Sequence, residues 1–212
     1  MPDTPREHWD QVYAGKPTSS VSWFQSEPSL SLSMIAAAGV GPDDAIIDVG
    51  GGASNLVDRL LDQGYRRLSV LDISSEALAV SRQRLGDRAQ AVTWLAETIV
   101  SWSPLAGAFD LWHDRAVFHF LVEDSDRQAY LRALNRGLRT GGHLVLATFA
   151  LTGPQRCSGL PVRRYSTAAL QDALGPGFEL VRSEPETHLT PSGAPQDFNW
   201  RLFRKTRDSE QG

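Results

Sequence analysis

Apolar residues recur along this chain in short blocks of two spacings. Residues 45–49 (AIIDV) and 67–71 (RLSVL) are compact apolar runs, as strands buried on both faces of a sheet would be. Residues 30–38 and 55–63 instead space their apolar positions three and four apart, the pattern of a helix with one buried face. The first of these helices stops in the Gly- and Pro-containing stretch at 39–42. Ser74, Ser75 and Glu76 form a capping start for a helix over 77–85. Strands are predicted over 91–95, 109–113 and 143–149, the last entered through a Gly141, Gly142 turn, with a helix over 127–138 before it. A helix over 167–174 and strands over 178–183 and 198–204 follow. Alternating strand and helix predict an α/β domain with a mostly parallel sheet, and the two late strands predict an antiparallel hairpin at one sheet edge. No internal repeat is present. Residues 151–165, with Gly153, Pro154, Gly159 and Pro161, make the longest break and a candidate pocket-lining loop. The chain thus divides into a polar N-terminal lid or helical segment (1–40), a core domain (41–205) and a disordered tail (206–212).

The first strand runs directly into Gly50, Gly51 and Gly52. Open α/β sheets bind ligands beyond the carboxyl ends of their strands, and glycines there bring bare backbone N–H groups close to a ligand. A tight turn without a ligand is the other role open to them. The dinucleotide pattern G-x-G-x-x-G needs a third glycine where this chain has Asn55, which weakens NAD binding. No Gly-Lys-Ser/Thr follows to make a phosphate loop, which removes the anchor of an ATPase. Asp72 closes the second strand about twenty residues on, the position from which a carboxylate accepts hydrogen bonds from both ribose hydroxyls of an adenosine. Its other possible role, the cap of the next helix, could fall to Ser74 or Ser75. Glu97 and Thr98, past the third strand, have the corresponding place for an adenine edge, or for a solvated loop.

Composition narrows the partners. The 212 residues are 41% hydrophobic and 22% charged, enough for one core without a second domain. A formal net charge of -4 disfavours nucleic acid and anionic membrane surfaces. Cys157, the single cysteine, allows no internal disulfide, and no Cys/His spacing suits zinc, so a reducing cytoplasm and no metal are expected. The start, MPDTPREHWDQVYAGK, lacks an apolar export segment, and no apolar run approaches the roughly 20 residues of a membrane helix.

Several motifs in order carry a likeness. DVGGG at 48–52, LDIS at 71–74, the acid Glu97, FDLWHDRAVFHFL at 109–121 and LRTGGHLVLATF at 138–149 resemble the class I S-adenosylmethionine-dependent methyltransferases, over nearly all of residues 46–204. Gly51 stands where that family commonly has cysteine, and Glu97 where aspartate is usual. The resemblance implies a Rossmann-like seven-stranded sheet with helices on both faces and the last strand antiparallel. It also implies S-adenosylmethionine lying across the strand ends, held by Trp23, Asp48, Gly50, Gly51, Gly52, Asn55, Asp72, Ile73, Glu97, Thr98 and His113. Methyl transfer asks mainly for positioning, with a base needed only for a protonated acceptor.

WHDRAVFHF resembles the W-D-R-G-A-L segment of thiopurine-like S-methyltransferases and also the D-K-G-T segment of a group of protein-lysine methyltransferases; Arg115 leans toward the former. Both groups share an opening seen here as Trp9, Asp10, Tyr13, then Trp23 and Phe24, read as a lid or as simple edge cover. His113 and His119 are candidate bases or packing residues. Asp114 is a candidate to orient cofactor or acceptor, and Arg115 to hold a thiolate or an acceptor carboxylate, or the two to pair with each other. Cys157, Arg163, Arg164 and Tyr165 are candidate acceptor contacts or parts of a surface loop. The expectation is a cytosolic methyltransferase of a small-molecule acceptor, sulfur preferred. Protein-lysine methylation, a non-catalytic adenosine-binding module and NAD-dependent oxidoreduction stand as alternatives.

Overall fold

A computed structural model describes residues 4–15 and 17–207. A helix α1 (Pro5–Gly15) precedes α2 (Ser29–Ala37), β1 (Ala45–Val49), α3 (Leu56–Asp62), β2 (Arg67–Leu71), α4 (Ser75–Leu85), β3 (Val92–Leu95), β4 (Phe109–Arg115), α5 (Asp124–Gly137) and β5 (Leu138–Phe149). The two-residue strands β6 (Arg156–Cys157) and β7 (Leu160–Pro161), then α6 (Thr167–Leu174), β8 (Phe178–Leu189) and β9 (Pro195–Lys205) complete the chain. The main sheet has seven strands in the order β3-β2-β1-β4-β5-β9-β8. β1 to β5 pair in parallel, while β9 is antiparallel to both β5 and β8. β9, the last strand, therefore alone runs against the rest, as the family resemblance implies.

Alternate residues of the buried strands feed two apolar layers. Ile46, Val70, Leu111 and Val145 pack against α2, α3 and α4 through residues such as Met34, Leu60 and Leu78. Ile47, Trp112, Leu144 and Leu146 pack against α5 and α6 through Tyr130, Leu134 and Leu170. Helices thus cover both faces, and the strand order reverses between β1 and β4, where a crevice opens at the carboxyl ends.

The observed elements extend past several sequence-predicted bounds. β8 runs six residues beyond Ser183 because it is an edge strand, where Pro185 costs no ladder bond, and its alternating exposed positions follow from one solvated face. β4 continues to Arg115 and β5 starts at Leu138. The polar α1 carries no buried residue, so periodicity alone could not assign it. Of the predicted tail, Thr206 donates its N–H to Gly177 O at 2.8 Å, and 208–212 lie outside the described residues. Among the described residues no helix is long and apolar enough to cross a membrane, and no cluster of three His, Cys, Asp or Glu side chains is placed to hold a metal.

Candidate active site

The glycine turn after β1 is held by close packing. Gly50 and Gly52 adopt φ of 71° and 38°, in the left-handed region. A Cβ on Gly50 would strike Val117 Cγ2, and one on Gly52 would lie 2.7 Å from Asp72 Oδ2 and 3.2 Å from Ala77 Cβ. The space a side chain would need is therefore filled by the protein's own atoms, which draws the turn against both β2 and β4. Gly50 N donates to Leu71 O at 2.6 Å, and Ser81 Oγ to Gly52 O at 2.7 Å.

Asp72 is buried at the end of β2 and lines the main cavity. Its Oδ1 accepts from Ser74 N at 2.8 Å, while Ser74 Oγ caps α4 by accepting from Ala77 N at 3.1 Å. The capping role falls to Ser74, leaving the Asp72 carboxyl to the cavity. Burial, with Asp48 and Asp10 adding to it, pushes Asp72 up to about 7. Ile73 and Thr98 line the same cavity, together with Ile99; Glu97 is exposed and outside the lining.

The cavity, of about 370 Å³, runs from Asp72 past Gly50 to Arg115 and Phe198. A smaller recess of about 60 Å³ adjoins it through Tyr13, Trp23, Gly50 and Arg115, and carries Asp48, Gly51, Asn55 and His113. Asn55 Nδ2 donates to Gln25 O at 3.0 Å, tying this recess to the N-terminal segment. His113 lies between Asp48 Oδ1, 2.7 Å from Nδ1, and Ser31 Oγ, 3.0 Å from Nε2. Both ring nitrogens are thereby engaged.

The N-terminal segment roofs the cavity. Trp9 meets Trp23 and Phe120 edge-on at 5.6 Å and 5.1 Å, and Trp23 Nε1 donates to Tyr13 OH at 3.2 Å. Ser74 Oγ donates to Asp10 Oδ1 at 2.6 Å, fastening α1 over the end of β2.

Beyond β4 the candidate residues separate. Arg115 lines both spaces, donates from Nη1 to Trp23 O at 2.9 Å and lies 5.0 Å over the Phe198 ring. Burial lowers its pKa. Asp114 does not pair with it: the Asp114 carboxyl accepts from Val117 N, Phe118 N and Tyr130 OH at 2.7, 3.1 and 2.7 Å, which locks the turn after β4. Burial still pushes Asp114 up to about 6. His119 packs among Phe120, Phe149 and Phe198 outside the cavity lining, accepts from Phe149 N at 3.3 Å, and is pushed down to about 3 by burial and Arg115.

The long loop is also divided. Cys157 reaches the cavity, and burial pushes its thiol up to about 11. Arg163 sits 5.5 Å over the ring of Tyr165, itself buried against Phe118 at 5.4 Å, and neither lines the cavity. Arg164 Nη1 donates to Leu151 O at 2.6 Å and Gly153 O at 3.2 Å, bracing the loop. Sequence reasoning missed Gln196 and Phe198, which alternate onto one face of β9 and reach the cavity. Their only local signal was strand alternation, which does not say what lies opposite.

Residues 46–142 match the family model described as a methyltransferase domain. That stretch is just under half of the chain, and over it the chain is similar to a methyltransferase domain. The arrangement fits S-adenosylmethionine: the buried carboxyl of Asp72 lines the cavity together with Ile73 and Ile99, and a polar recess lies beside the glycine turn. The "eEF1A lysine and N-terminal methyltransferase" of Danio rerio is 24% identical over 147 residues, covering 68% of this chain and 21% of that protein. The chain thus spans about a fifth of that relative's length. A structure from work on the conversion of a disulfide bond into a thioacetal group during echinomycin biosynthesis aligns with TM-score 0.78 at 19% identity, covering 97% of this chain and 95% of that one. The Burkholderia thailandensis 1,6-didemethyltoxoflavin-N1-methyltransferase aligns with TM-score 0.68 at 21% identity, covering 95% and 84%. At these identities the chain shares a fold with both structures.

Proposed function

We propose that this methyltransferase acts on a small-molecule acceptor, with thiol sulfur the favoured nucleophile, in a reducing cytoplasm. The aromatic cover over one side of the site and the cation inside it carry the proposal. Trp9, Trp23 and Phe120 close over a cavity that must hold both cofactor and acceptor, with the Arg115 guanidinium inside it. A lysine or N-terminal ammonium would have to enter as a second cation beside that guanidinium, which low-dielectric surroundings penalise.

When bound, the cofactor supplies a methyl group on positively charged sulfur, which leaves as a thioether as the acceptor's lone pair forms the new bond. The chain's residues position and shield. Asp72 accepts from the ribose hydroxyls, with Ile73 and Thr98 at the adenine. Asp48, Gly50, Gly51, Asn55 and Trp23 bound the methionine end, while Gly52 packs against Asp72, and Glu97 lies outside the lining. His113 holds Asp48 in place; Asp114 and His119 set the turn that carries Arg115 and the face that carries Phe198. Both ring nitrogens of His113 are engaged by Asp48 and Ser31, and His119 is held down to about 3 by burial. An acceptor thiol, whose pKa of about 8.5 lets a fraction lose its proton to water before transfer, needs no base. Cys157 lines the acceptor end, and Arg163, Arg164 and Tyr165 support its loop.

The names of the curated relatives favour a second reading, methylation of a protein amine. Incubation with methyl-labelled S-adenosylmethionine and a cell extract, followed by separation of small molecules from protein, decides between them. Label in the small-molecule fraction is expected; label on protein transfers the assignment to the second reading. Cofactor binding with label in neither leaves a binding module.

A further inference from the structure

Two polar groups in the cavity lack partners. Arg115 Nε and Nη2 are buried with no hydrogen-bond partner, and so is Gln196 Oε1. Nη1 is already committed to Trp23 O, so the unused N–H groups are those on one edge of the guanidinium, the edge that presents two parallel donors. The carboxylates that act on Arg115 through space are occupied elsewhere. Glu186 accepts from Gln25 Nε2 at 3.0 Å and from Trp200 Nε1 at 2.7 Å, and Asp48 is bound to His113. A buried cation left unpaired is costly, and here the cost falls at the wall of a cavity rather than in a sealed core. Gln196 and Phe198 share one face of β9, the guanidinium lies over Phe198, and all three residues line the same cavity.

We propose that the acceptor bears a carboxylate, seated on the Nε–Nη2 edge of Arg115, with the Gln196 side chain accepting a hydrogen bond from a neighbouring N–H or O–H of the same molecule. This rests on the small-molecule reading above and narrows it to acids. Phe198 forms the apolar floor under the guanidinium, and the roof of Trp9 and Phe120 contains the rest of the molecule.

The test observes Arg115 itself. In ¹⁵N NMR spectra of the full chain, the Arg115 Nε–Hε signal is assigned by its loss in Arg115→Lys. Formate, small enough to reach the seat, is then titrated against its uncharged counterpart formamide, with the protein bound to S-adenosylhomocysteine. A saturable shift with formate and none with formamide is expected, and Gln196→Leu leaves that shift in place. No shift with formate, or an equal shift with formamide, overturns the proposal. It is also overturned if S-adenosylhomocysteine alone moves the signal and blocks formate while 5′-methylthioadenosine, which lacks the carboxylate, does neither, because the seat then belongs to the cofactor. Failure of the Gly50 and Gly51 amides to respond to S-adenosylhomocysteine would count against the cofactor site instead, and the formate titration is then read on the free protein.

Discussion

His113 and Asp48 are direct neighbours across the β4–β1 pairing, and their side chains meet at 2.7 Å between Nδ1 and Oδ1. The ring is buried, with Ser31 of α2 on its other nitrogen. One imidazole thus joins two strands and a helix beneath the recess. His113→Ala should cost about 2 to 4 kcal/mol through the cavity and the unpaired Asp48 it leaves. Urea unfolding measures this, and His113→Asn should restore part of it, which a base essential to transfer would not allow for turnover.

Cofactor binding through Asp72 should be sensitive to pH. Its carboxyl is raised from 3.8 to about 7. Ribose hydroxyls donate to the ionised form, so affinity for S-adenosylhomocysteine should fall as pH drops from 8 to 6, approaching tenfold per unit below about 7. Calorimetry at several pH values checks it, and Asp72→Asn should bind more weakly with a flat profile. For folding the sign is opposite. The folded state keeps the proton, so the stabilisation is full below 3.8 and lost as pH rises through about 7. Asp72→Asn should therefore unfold at a higher temperature than the parent at pH 8.

Arg115 should separate the two substrates. Loss of a charge-assisted pair of hydrogen bonds predicts an acceptor kcat/KM reduced by about 10- to 100-fold in Arg115→Gln, with S-adenosylhomocysteine affinity little changed. Arg115→Lys keeps the charge but loses the planar edge and should recover only part. Steady-state kinetics beside calorimetry gives both numbers.

His119 should act on stability alone. It stays neutral in the fold, held down to about 3, whereas the unfolded chain protonates it near 6.5. That difference removes stability as pH falls below about 6.5. The stability gap between parent and His119→Phe should shift by about 2 kcal/mol against the parent between pH 7 and 5. Denaturant unfolding at the two pH values measures it, and the pH profile of turnover between 7 and 9 should not move.

The α/β alternation, the glycine turn after β1 and the acid after β2 were legible in the sequence because each is local: apolar spacing, glycine and a strand-ending carboxylate announce themselves within a few residues. Which residue caps α4 was left open by the sequence and answered by geometry, since Ser74 is the residue whose oxygen reaches Ala77 N. Within WHDRAVFHF, four polar residues looked equivalent, yet strand alternation and the following turn send them to different surroundings. His113 goes to the recess beneath the glycines, Asp114 to the opposite layer with Tyr130, Arg115 to the cavity and His119 into an aromatic cluster. Gln196 and Phe198 join the site only because β9 inserts between β5 and β8, bringing residues about 80 positions away beside Arg115. Local chemistry is written in the order of residues, whereas the partners left unpaired inside a cavity depend on which distant strands are laid side by side.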